Sequence, residues 1–132
     1  MPLSVYQAQK FLNSLFGSGT PATLYVALLL TAPSSTGGGT EVSGGGYARV
    51  AVTNNNTNWV GATSTTPSTS ANGTTIAFPT ASAAWGTPGW FGIYDAASGG
   101  NLLWWGTLVN PQAVASGATP EYTAGNLLLN LQ

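Results

Sequence analysis

The sequence predicts a mainly β protein, an antiparallel β-sandwich or jelly-roll-like barrel with one N-terminal α-helix. Three observations predict it. The only stretch with helical periodicity is at the start, "SVYQAQKFLNSLFG". After Pro21 the chain becomes a series of short β-type runs punctuated by Gly, Pro, Asn and Ser. No further helical stretch separates those runs, which favours antiparallel pairing over a parallel α/β sheet. A chain of 132 residues suits one domain over residues 1–132, with a single core burying roughly 65–70% of the unfolded surface.

The helix is expected over about 5–16. Ser4 stands at the N-cap with Gln7 three residues on, a pairing that satisfies free backbone N–H groups. Val5, Ala8, Leu12, Leu15 and Phe16 recur at helical spacing, and Gly17 supplies a residue that reaches positive φ just past the end. The sandwich is expected over about 22–132, with strands near 23–31, 47–53, 74–78, 90–95, 102–109, 112–116 and 127–131. In the last of these Leu127, Leu129 and Leu131 share a face. Two stretches, "APSSTGGGTEVSGGG" and "GATSTTPSTSANG", hold too little apolar surface to offset the entropy of ordering and are read as loops, either plain connections or binding elements.

The stretch "GWFGIYDAASGGNLLWWGTLV" at 89–109 reads as a hairpin that is apolar on both sides. Side chains alternate faces along a strand. Trp90 and Tyr94 therefore share one side and Phe91 and Ile93 the other. Leu102, Trp104 and Leu108 oppose Leu103, Trp105 and Val109. Residues 24–30, "LYVALLL", are likewise apolar on both faces. By contrast, "YARVAVT" sets Ala48, Val50 and Val52 against Tyr47, Arg49 and Thr53, as expected when one side meets water. Each two-sided strand needs two covers: the opposing sheet supplies one and the helix part of the other. Another subunit or a host surface is expected to supply the rest, since large exposed apolar patches mark contacts. Phe11 and Leu15 on the helix, with Trp90, Tyr94, Trp104 and Trp105 on the hairpin, are the candidate interface residues.

Composition narrows function. Charged residues make up 4% of the chain and net charge is −1, where about 25% charged is ordinary; a surface this close to neutral favours self-association. Two cations, Lys10 and Arg49, neutralise too few phosphates for nucleic-acid binding. The longest apolar run is far below the roughly 20 residues of a membrane-spanning helix, so no membrane partner is expected. The N-terminus lacks the pattern of a secretory signal, so export by that route is not expected.

With no His and no Cys, the common general bases, thiol nucleophiles and zinc ligands are missing. Glu41, Asp95 and Glu121 are scattered. Asp95 is expected to bond nearby backbone N–H groups, with pairing to Arg49 as the rival, and Glu41 and Glu121 are read as solvated. No catalytic residue, metal or cofactor is predicted, and the chain is not expected to be an enzyme. Five Trp and five Tyr beside many amides and hydroxyls also fit a carbohydrate platform, but cores and interfaces are equally rich in aromatics.

The blocks "GGGYARVAVTNN", "TTIAFPTASAAWGTPGWFGIYDAASGGNLLWWGTL" and "VASGATPEYTAGNLLLNL", spanning about 44–131, resemble small virion structural proteins of tailed bacteriophages, the capsid decoration (cement) and tail-fibre proteins. The block "FGIYDAASGGNLL" is the most specific part. The resemblance implies a β-rich, non-enzymatic building block of the phage particle. The leading expectation is a capsid decoration protein on the outer head surface, a homo-oligomer, expected trimeric, that binds the major capsid protein and holds capsomers together. The alternative is a tail-fibre or tail-tip component that recognises the host surface or its glycans.

Overall fold

The computed structural model describes residues 4–19, 21–34, 38–61 and 68–131. Helix α1 (Val5–Leu15) begins where Ser4 is extended and its Oγ accepts the Gln7 N–H at 3.1 Å. It stops as Phe16 leaves the helical region and Gly17 takes φ 85°. Asn54, almost fully buried, seals this end. Its Oδ1 accepts the Gly17 N–H at 2.6 Å, and its Nδ2 donates to the Leu15 and Pro21 carbonyls at 2.7 and 3.0 Å. The helix terminus is thereby fixed to the sheet.

The strands are β1 (Thr23–Leu29), β2 (Val50–Thr53), β3 (Ser68–Ala71), β4 (Ile76–Ala77), β5 (Trp90–Tyr94), β6 (Leu102–Thr107), β7 (Glu121–Tyr122) and β8 (Leu128–Leu131). All pairings between them are antiparallel, in a four-stranded sheet of order β2-β1-β5-β6 and two ribbons, β3-β8 and β4-β7. The inward face of the large sheet carries Leu24, Val26, Leu28, Val52, Phe91 and Ile93. These pack in one cluster with Leu12 and Phe16 of α1, Trp59, Ile76, Phe78, Leu127 and Leu129. The predicted mainly β, antiparallel architecture with one helix is what the chain forms.

Several local expectations are corrected. Residues 112–116 form no strand: Val114 makes a single bridge, its N–H donating to the Gly86 carbonyl at 2.8 Å and its carbonyl accepting the Trp85 N–H at 2.9 Å, because the segment between Pro111 and Gly117 has only one inward side chain. Conversely, residues 68–71, read as loop, are β3. Its small polar side chains gave no hydrophobic signal, yet the ladder to β8 and the Ser70 hydroxyl on the Val60 carbonyl hold it in place. Residues 35–37 and 62–67 of the two loop stretches lie outside the described residues, as do the side chains of Val5, Ala8 and Leu131.

Among the described residues, the helix makes no contact with the large sheet's outer face. It packs against β3 and β8 and sends Phe16 into the core, where its ring meets Trp59 at 5.2 Å and Trp104 at 5.5 Å. The two-sided strands are nevertheless as apolar in place as in sequence. Ala27 and Leu29 of β1 are fully buried and, with Tyr94, lie outside the main core cluster, on the outer face. Much of that face covers itself. Gly92 leaves a hole across from Ala27, and the Tyr94, Leu102 and Leu29 side chains close over it: a Cβ there would come within 2.9 Å of Tyr94 Cε1 and 3.2 Å of Leu102 Cδ1.

A register shift in the hairpin also moves side chains between faces. Ile93 pairs with Trp104 and Tyr94 with Leu102, so a bulge forms at Leu103. Strict alternation puts Leu102 and Trp104 on one side. The bulge instead puts Leu102 outside with Tyr94 and leaves Trp104 against the core.

Candidate functional site

The chemistry-bearing side chains come first, because there are so few. Arg49, expected to face water, is 6% exposed in its side chain and grips Glu41 through two bonds, Nη2 to Oε1 at 2.8 Å and Nε to Oε2 at 2.9 Å. Its Nη1 donates to the Ala96 and Gly99 carbonyls at 2.8 Å each, and the guanidinium sits 3.7 Å above the Tyr94 ring centre. Glu41 is thus an ion-pair partner and not the solvated group expected. The reason is positional: residues 40–42 run beside the end of β1, with Leu30 N–H on Thr40 O and Val42 N–H on Leu28 O. Where that pairing stops and β2 has not begun, the Tyr47 hydroxyl accepts the Leu28 N–H at 3.1 Å and donates to Glu41 at 2.6 Å.

Burial works to raise the Glu41 pKa, but the Arg49 and Tyr47 hydrogen bonds and the Arg49 charge outweigh it and hold the carboxyl below its ordinary range. Burial and the bond to Glu41 push the Tyr47 phenol well up. The cluster is a tie that fastens the β5–β6 loop to the β1–β2 connection. Within that loop Asp95 accepts from the Asn101 backbone N–H at 2.7 Å and its Nδ2 at 2.9 Å, the local role expected of it; Arg49 is taken by Glu41.

Of the candidate interface residues, Tyr94 is buried under Arg49, and Leu15 and Trp104 are half-buried against the core. Trp90 is half-buried at the start of β5. Phe11 and Trp105 remain open, at 47% and 38% exposure. Trp105 stands on β6, an edge strand of the large sheet with no charged residue in "LLWWGT". Beside it, β8 packs against β6 so closely at Gly106 that a Cβ would lie 3.2 Å from the Leu128 carbonyl oxygen; the Leu128 side chain is 41% exposed. Helix α1, which carries Phe11, packs on β8 in turn. Phe11, Leu128 and Trp105 therefore occupy three elements packed in succession. The shared face read for Leu127 and Leu129 is the buried one, and Leu128, on the other side by alternation, was not singled out as a contact.

Two buried asparagines were also missed. Asn72 is fully buried; its Nδ2 donates to the carbonyls of Thr74, Tyr122 and Thr123 and its Oδ1 accepts the Leu127 N–H at 3.0 Å, holding the C-terminal segment in place. A cleft of about 550 Å³ opens where that segment meets residues 109–114.

A charge-poor, mainly β protein whose Arg49 and Glu41 are tied together internally, with apolar side chains presented on adjoining elements, has the character of a building block. The comparison with known families agrees: the chain is a structural protein of the bacteriophage virion. The matching family is described as "Podophage GP4 fiber I protein gp80", and its match covers residues 2–130, so the chain belongs to that family. No curated protein matches it.

Proposed function

We propose that the protein is a fibre subunit of the podophage particle that assembles with copies of itself through apolar side chains left open on β6, β8 and α1, Trp105 foremost among them. The observation that carries this is Trp105, an open indole across from Gly92 on the outer face of an uncharged edge strand. Edge strands of monomers are ordinarily guarded by charge, proline or bulges that point outward. β6 has no charge, and its bulge lies at the loop end, away from Trp105 and Gly106. A net charge of −1 offers little repulsion between copies. The family description favours the fibre over the head.

Capsid decoration is the second reading, favoured by apolar exposure on more than one side. Tyr6, at 65% exposure, and Phe11 are five residues apart and point about 140° apart around the helix. A protein wedged between capsomers, as a trimer against the major capsid protein, uses several faces at once. Copy number in purified virions separates the two readings. A few to a few dozen copies at the tail are expected for a fibre; hundreds over the head surface would reject the fibre and support decoration. Native mass measurement of the purified chain tests self-assembly itself, with a stable single copy counting against it.

A further inference from the structure

We propose that the cleft between residues 109–114 and 118–126 binds a neutral, hydroxyl-rich ligand, a glycan segment of the host surface. The source of that glycan rests on the fibre reading; the chemistry of the cleft does not. Its volume of about 550 Å³ is within the roughly 300–1,000 Å³ usual for small-ligand sites. The polar lining comes from Asn110, Gln112, Glu121 and Asn126, and Val109 and Tyr122 add apolar surface.

Charge and hydrogen-bonding capacity select the ligand. Among the described residues no cation lines the cleft, so a phosphate or a uronic acid would meet the Glu121 carboxylate with nothing to balance it. A purely apolar ligand would strip water from three amides and a carboxylate and give no bonds back. Vicinal hydroxyls fit both demands, because a side-chain amide donates and accepts together and a carboxylate takes two O–H donors. The side chains of Asn110, Gln112 and Glu121 make no hydrogen bond among the described residues, so they are available. Val109, 62% exposed, gives the apolar face of a sugar ring a surface to lie on.

The walls are already fixed. Val114 bonds Gly86 at 2.8 Å, Ala118 takes the Ala81 N–H at 2.8 Å, Pro120 takes the Phe78 N–H at 2.9 Å, and the Thr80 and Thr119 hydroxyls meet at 2.7 Å. The Tyr122 ring is wedged edge-on against Phe78 at 5.9 Å. A ligand entering such a site has little protein to order, which favours binding.

The test is an array of neutral and acidic oligosaccharides probed with the full chain and with Gln112→Ala and Glu121→Ala. Retention of neutral glycans is expected, weakened at least about tenfold by either substitution, with the melting temperature unchanged because both side chains are exposed and unbonded within the protein. Retention of acidic glycans alone, retention of none, or neutral binding indifferent to both substitutions would overturn the proposal. Copies imaged at the tail with an inert cleft would remove the glycan site and keep the fibre. Glycan binding by copies found on the head would do the reverse.

Discussion

Replacing Arg49 by Met keeps a long apolar stem over Tyr94 and removes every N–H of the guanidinium. Glu41 then keeps one described partner, the Tyr47 hydroxyl, and the Ala96 and Gly99 carbonyls lose their donor. Breaking a buried ion pair from one side costs about 3–5 kcal/mol. The Glu41 side chain is 27% exposed, so water partly replaces the lost partner and the low end applies, about 3 kcal/mol. For a domain of this size that lowers the melting temperature by roughly 10 °C. Thermal and urea unfolding followed by circular dichroism measure it. The double variant Glu41→Leu with Arg49→Met leaves no uncompensated charge and is expected to regain about 2 kcal/mol over Arg49→Met alone, because apolar replacement of a whole buried pair is often neutral. An Arg49→Met loss below about 1 kcal/mol, or a double variant whose loss is the sum of the two single ones, would refute the claim that the tie is buried and coupled.

The same cluster sets the pH response. Glu41 has a folded-state pKa below its ordinary 4.5, so its contribution is full above that value and is lost as pH falls through the lowered one. Tyr47 is shifted above its ordinary 10.0, so its contribution is full below that value and fades as pH rises beyond it. Unfolding scans against pH should show losses on both flanks, and the acid loss should shrink in Glu41→Gln. Asn72→Ala strands several buried backbone groups and is expected to cost at least about 2–4 kcal/mol, read by urea unfolding; a loss under 1 kcal/mol would mean that the C-terminal segment is held otherwise. Trp105→Ser is expected to weaken self-assembly in native mass measurements, while a lower melting temperature with unchanged assembly would assign the indole to folding alone.

The sequence by itself determined the class of fold, the start and end of the helix, and the two-sided character of the strands at 24–30 and 90–94. Those features follow from local spacing: caps, alternation and turn residues act within a few positions of themselves. It also determined how little charge the molecule carries. Only the tertiary structure decided where the second cover comes from. Tyr94, Leu102 and Leu29 fold down over Gly92 through pairings 65 residues apart in the chain, and a bulge at Leu103 overrides strict alternation. The fate of Arg49 was equally out of reach, because whether a charge meets water or a carboxylate depends on which loop passes beside its strand. β3 is the plainest case. Beyond the β-branched Thr69, little in "STSA" favours a strand, and it becomes one because β8 lies alongside it and offers the backbone partners that its own side chains could not signal.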